Sequence, residues 1–137
     1  MKRFVPLIGI LLIILTAAPG LSSLNVPPGD FQKEISDAIR SGNSVALGKF
    51  FNINLDLSLP GNENTYGKAQ AEIIIRDFFS KNPPLSFTVN HNGSSKDGSV
   101  YFIGTYKSKQ NKSFRTYCLV KKSGDKYLIQ QLQFEPE

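Results

Sequence analysis

The chain has 137 residues, a formal net charge of +5 with its one histidine neutral, and 40% hydrophobic against 20% charged side chains. That length holds one small domain, and the composition excludes a disordered tail, a collagen-like fibre and a charge-rich coiled coil. One cysteine excludes an internal disulfide framework and a cysteine-built zinc cage, and one histidine excludes a multi-histidine metal centre.

Lys2 and Arg3 precede an apolar run from Leu7 to Leu15, and the small residues Thr16, Ala17, Ala18, Gly20, Ser22 and Ser23 follow. This is the layout of a secretory signal peptide. A membrane span needs roughly 20 apolar residues, and Pro19-Gly20 ends the run well short of that. Residues 1–22 are therefore expected to be a signal peptide cleaved between Ala18 and Ser23, leaving no membrane span. The protein is expected to be exported, to the periplasm of a Gram-negative bacterium or otherwise secreted. Lys2 and Arg3 leave with the leader, so part of the basic excess is lost on cleavage.

Residues 23–29, with Pro27-Pro28-Gly29, read as an irregular lead-in to one domain over 30–137. From Asp30 the period is helical, with Phe31, Ile35, Ala38 and Ile39 on one stripe. Gly42 ends this helix, and Asn43 caps a second short one through Val45, Ala46, Leu47, Phe50 and Phe51. Ile53, Leu55, Leu57 and Leu59 then alternate with Asn54, Asp56 and Ser58 as a half-buried strand, stopped by Pro60-Gly61-Asn62. A helix follows from Gly67 to Lys81. Its buried face carries Ala71, Ile74, Ile75 and Phe78, with Phe79 flanking, and Asn82-Pro83-Pro84 stops it.

Everything after Pro84 reads as strand and turn. Leu85, Phe87 and Val89 alternate with polar residues, and Lys96-Asp97-Gly98 forms a hairpin turn. Strands over 100–106, 114–120 and 127–134 complete a meander. The pattern predicts an α+β fold, an antiparallel sheet with its helices on one side. Tyr101, Phe102, Ile103 and Tyr106 put apolar groups on both faces of one strand, and Tyr117, Cys118, Leu119 and Val120 do so on the next. A sheet with one wet face alternates more cleanly, so the face away from the helices is expected to meet a second copy in a homodimer.

The order helix, helix, strand, helix, meander resembles the nuclear transport factor 2-like (cystatin-like cone) superfamily. Specific stretches narrow it: Ile39-Arg40-Ser41-Gly42-Asn43, Leu57-Ser58-Leu59-Pro60-Gly61-Asn62-Glu63, Tyr66-Gly67-Lys68-Ala69-Gln70-Ala71, Asp77-Phe78-Phe79, Asn82-Pro83-Pro84 and Tyr127-Leu128-Ile129. Together, over about residues 31–135, they resemble a small exported bacterial family, domain of unknown function 4783. Gly67 departs from the serine expected as helix cap there, and glycine also caps acceptably. The resemblance implies a cone-shaped curved sheet packed on N-terminal helices, and it implies no activity.

Chemistry-bearing patterns are few. His91 continues the Phe87–Val89 parity, so in a regular strand it points to the core side. There it would serve as a general base with Asp56 or Asp77, or it is simply a strand-end histidine beside a turn. Tyr66, Phe79, His91, Tyr101 and Tyr117 form the candidate pocket set, since aromatic walls with polar tips suit small-molecule sites. The alternative for the tyrosines is ordinary sheet packing. Lys107, Lys109, Lys112, Arg115, Lys121 and Lys122 make the later strands basic. They are either a patch for an anionic partner or lysines guarding a sheet edge. Cys118, between Tyr117 and Leu119, reads as a small buried hydrophobe. Asn92-Gly93-Ser94 and Asn111-Lys112-Ser113 match the glycosylation sequon, which matters only in a eukaryotic secretory route. No carboxylate pair, phosphate-cradling glycine loop or nucleophile elbow is present.

The expected function is a non-enzymatic binding or interaction module acting through the cone pocket or the outer sheet face. No cofactor and no metal is expected. The expected partners are a small apolar ligand or an envelope protein, and not nucleic acid. Two alternatives stand beside it: a small acid–base enzyme with a His91-centred pocket, and a structural dimerisation module of the cell envelope.

Overall fold

The computed structural model describes residues 28–137. The expected signal peptide, residues 1–22, and most of the expected lead-in lie outside the described residues. Helix α1 spans Pro28–Ser41, α2 Ser44–Gly48 and α3 Lys68–Lys81. The strands are β1 (Phe51–Leu59), β2 (Asn62–Gly67), β3 (Pro84–Ser94), β4 (Val100–Ser108), β5 (Ser113–Ser123) and β6 (Lys126–Pro136). The six strands form one sheet in the order β2-β1-β6-β5-β4-β3. The architecture is α+β: helices on a curved open sheet.

The helix corner is built by local chemistry. Phe31, Ile35, Ala38 and Ile39 are buried, as their spacing requires. Gly42, at φ 64°, closes α1. Its N–H donates to the Ile39 carbonyl, and the Asn43 N–H donates to the Ala38 carbonyl. That pair of bonds is a Schellman motif, which satisfies carbonyls the helix leaves open. The Asn43 side chain then accepts from the Ala46 N–H at 3.0 Å and caps α2. α1 starts at Pro28, so its first turn takes two residues from the expected lead-in. Proline suits that first turn, where its missing N–H has no helical partner.

The structure corrects the sequence reading of β1, β2 and their pairing. The sheet is mixed: β1 pairs with β6 in parallel, whereas every other neighbouring pair is antiparallel. β2 is an additional strand that turns back on β1 through Pro60-Gly61, with Gly61 at φ 76°. A proline followed by a positive-φ glycine fits a type II turn. Phe51 belongs to β1 and not to the second helix. Ile53, expected inside, is 79% exposed. Between Phe51↔Ile129 and Asp56↔Gln131 the register with β6 shifts, so β1 bulges and swings Ile53 outward.

Further bulges lie between Pro84 and Ser86, between Val89 and His91, and at Leu119/Val120. Bulges bend strands and raise their twist, which curves the sheet around the helices. The first of them leaves Leu85 63% exposed. The concave side is filled by an aromatic cluster. Phe78 meets Phe134, Phe114 and Tyr106 at centroid distances of 4.7, 5.3 and 5.7 Å. The Tyr106 hydroxyl donates to the Asn82 carbonyl, so a fully buried phenol has its partner. Among the described residues no helix is long and apolar enough to cross a membrane.

Candidate functional site

The five aromatic and histidine candidates do not share one site. Phe79 belongs to the interior cluster, 6.1 Å from Tyr106. Tyr66 sits on edge strand β2, half-buried, with its hydroxyl bonded to Asn62. His91, Tyr101 and Tyr117 lie together on the outer face of the sheet. His91 is the decisive correction. Val89 pairs with Gly104 and His91 pairs with Ile103, so one residue of β3, Asn90, is extra. A single added residue reverses the face of everything beyond it. His91 is therefore exposed, with its Nε2 3.2 Å from the Tyr101 hydroxyl. Neither carboxylate considered for it is near. Asp56 on β1 bonds Thr65 at 2.6 Å, and four strand spacings, about 19 Å, separate β1 from β3. Asp77 on α3 pairs with Lys81 at 2.9 Å.

The outer face has a definite arrangement. Gly93, Tyr101, Leu119 and Gln131 form one row across the strands, and His91, Ile103, Tyr117 and Gln133 form the next. Tyr101 and Tyr117 stack at 6.3 Å. A Cβ on Gly93 would come within 2.6 Å of the Tyr101 hydroxyl, so the ring lies flat over that glycine. The basic residues do not gather here. Lys107, Lys109 and Lys112 lie at the β4–β5 turn, with Arg115 just inside it. Lys121 and Lys122 lie at the other end of β5. Arg115 and Lys121 are about 20 Å apart along the strand. Sequence neighbours thus become two separate groups.

The largest of the described hollows lies at the open end of the cone, with a volume of about 690 Å³. Leu59, Ile74, Phe78 and Phe114 supply its apolar lining. Asn62, Asn82, Asn111 and Lys112 and the Asp77–Lys81 pair bring polar groups to it. The site is assembled from element ends: the β1–β2 turn, the second half of α3, the β4–β5 turn and the C-terminal residues Pro136 and Glu137. None of the five aromatic and histidine candidates lines it. Phe78 is legible as a core residue from the α3 stripe, whereas Phe114 reads only as part of a strand over 114–120; the sheet's curvature brings both to the open end. Asn111, which lines the hollow, holds φ 62° in the β4–β5 turn, a conformation asparagine tolerates.

Cys118 is fully buried, and burial pushes its thiol well above the usual range. Tyr106 is likewise pushed up by desolvation. Both are packing groups in this environment. Among the described residues no three histidine, cysteine or acidic side chains gather as a metal site.

Known proteins agree with this architecture. A family model described as "Domain of unknown function (DUF4783)" matches residues 32–135. Among solved structures, a DUF4783 family protein from Bacteroides uniformis is 32% identical with a TM-score of 0.72, covering 82% of this chain and 98% of its own. One from Bacteroides ovatus is 31% identical with a TM-score of 0.70, covering 76% and 93%. An NTF2-like protein of unknown function from Cytophaga hutchinsonii shares the fold at 16% identity and a TM-score of 0.57, covering 80% and 88%. No curated protein matches. With its cone-shaped sheet, its helix corner and a family match over most of its length, the chain belongs to the DUF4783 family and has the nuclear transport factor 2-like fold.

Proposed function

We infer that the protein is an exported, non-catalytic binding module of the bacterial envelope that holds a small amphipathic molecule at the mouth of its cone. The observation that carries this reading is the hollow of about 690 Å³ with an apolar lining and polar groups beside it. Ligand pockets usually run from about 300 to 1,000 Å³ with this kind of lining. The aromatic cluster closes the cone behind it, so an occupant rests on Phe78 and Phe114 and directs its polar end toward Asn111 and Lys112. Native mass spectrometry of the protein purified from its exported fraction tests the reading. A retained small molecule, lost in Ile74→Glu while the fold survives by circular dichroism, is the expected result. Protein that leaves the envelope fraction bare, and whose hollow residues show no NMR shift with amphipathic probes, would overturn it.

A second reading is supported by the outer face. Tyr101, Ile103, Tyr117 and Leu119 are half-buried neighbours at its centre. The lysines lie at its two ends, and Arg115 stands opposite Glu135. A two-fold contact through this centre brings apolar groups together and keeps like charges at the rim. Sedimentation at micromolar concentration is expected to give a dimer that Tyr117→Lys dissociates. A monomer at every salt and protein concentration would refute it.

A further inference from the structure

A second hollow, about 420 Å³, opens beside the end of α1 and has a different chemistry. Arg40 from α1, Arg76 from α3 and Lys109 from the β4–β5 turn line it together with Ser80, and no carboxylate does. The three cations come from three separate elements, so the fold and not the local sequence brings them together.

Arg40 is fixed before any ligand arrives. Its Nε and Nη2 donate to the Phe87 carbonyl at 3.3 and 3.1 Å, and its Nη1 donates to Asp37 at 2.6 Å. Asp37 is shared with Lys33 at 2.8 Å, so it does not neutralise Arg40 alone. Arg76 and Lys109 make no ion pair among the described residues. The Lys109 backbone N–H donates to the Pro83 carbonyl at 2.8 Å, which ties the turn that carries it to the Pro83-Pro84 wall. A Cβ on Gly42 would stand 3.2 Å from Pro84 and 3.7 Å from Phe79, so the end of α1 is seated against the same wall. The helix C-terminus contributes roughly half a negative charge. The Schellman bonds satisfy the Ala38 and Ile39 carbonyls. Arg76 and Lys109, without an ion pair among the described residues, together with the partly compensated Arg40, outweigh that partial charge.

We propose that this hollow binds a small organic molecule bearing a phosphate or sulfate ester. The Arg76 guanidinium, which has no ion pair among the described residues, can match the oxygens of such an ester in paired hydrogen bonds, Arg40 adds the N–H groups that Phe87 and Asp37 leave free, and lysine adds a point charge. The Phe79, Pro83 and Pro84 side of the hollow takes the organic part. This site is separate from the mouth of the cone, so its test does not depend on the reading above.

Titration of the isotope-labelled protein with glucose 6-phosphate, with glucose as control, tests it by NMR. The phosphate ester is expected to shift the Gly42, Ser80 and Lys109 amides saturably, and glucose is not. R76Q and K109Q together are expected to weaken binding at least tenfold with unchanged thermal stability. Sedimentation with phosphatidylcholine vesicles, with and without phosphatidic acid, separates the two sources of the same group. Selective capture by the acidic vesicles, lost in R76Q/K109Q, identifies a lipid headgroup; binding of glucose 6-phosphate alone identifies a soluble ester. The proposal is overturned if neither probe binds, or if shifts spread equally to Lys121 and Lys122. It is also overturned if R76Q/K109Q binds like the unaltered protein.

Discussion

Phe78→Ala tests the packing and the hollow at once. Phe78 is 5% exposed and touches Phe79, Tyr106, Phe114 and Phe134. Truncating a buried phenylalanine costs about 3–5 kcal/mol, the spread reflecting how much empty cavity remains. Phe78 also lines the mouth of the cone, so the space it vacates joins a hollow open to water and leaves less empty cavity. The cost is therefore expected at the low end, about 3 kcal/mol. Phe134 is 1% exposed and belongs to the same cluster without lining that hollow. Phe134→Ala is expected at the high end, about 5 kcal/mol. For a domain of this size 1 kcal/mol moves Tm by about 4 °C, which separates the two variants by about 8 °C. Thermal and urea unfolding followed by far-ultraviolet circular dichroism read this directly. An unchanged midpoint for Phe78→Ala would refute the assignment of α3's buried face. Equal losses for the two variants would refute the openness of the mouth.

The bulge in β1 predicts that Ile53→Thr changes stability by less than about 0.5 kcal/mol while Leu55→Ala costs about 2–5 kcal/mol; urea midpoints in the reverse order would restore a regular strand. Asp97 accepts from the Ser99 hydroxyl at 2.6 Å and the Ser99 N–H at 3.0 Å, and these bonds, aided by Lys121, hold its carboxyl below the ordinary range. Because the folded value is depressed, the stabilisation is present above the ordinary carboxylate range and is lost as pH falls through the folded value. Ser99→Ala is expected to raise the Asp97 titration part of the way back by NMR, and an unmoved titration would contradict this. The buried Cys118 thiol is expected to resist a disulfide exchange reagent in the folded protein and to react fully in urea; prompt reaction without denaturant would place it at the surface.

Where signals are local, the sequence carries the fold. The α1 stripe, the Gly42–Asn43 junction and the face of α3 follow from periodicity and capping chemistry. The Ser123↔Lys126 hairpin, with Gly124 at φ 60°, follows from its turn residues. β2 escaped because Asn62–Gly67 is polar on both sides and pairs along one edge only. The parallel β1–β6 pairing joins residues 75 to 78 positions apart, such as Phe51 and Ile129, which no local pattern records. The site was the least legible part. One extra residue at Asn90 took His91 from the expected core side to the outer face. The mouth of the cone is made of turn residues from distant segments, chosen by the curvature of the sheet and not by any motif.

The place of β6 bears on how the molecule is made. Hydrogen bonds join β2 to β1 on one side and β5, β4 and β3 on the other, and only β6 connects the two groups. A nascent chain that has emerged as far as Gly124 holds two half-sheets with unpaired inner edges and no shared ladder. Such edges invite mispairing with other chains. The closing contacts span most of the domain, and folds dominated by such contacts form slowly. Pairing of Lys126–Pro136 with β1 and β5 is therefore the step that joins the two half-sheets into one ladder and removes both inner edges.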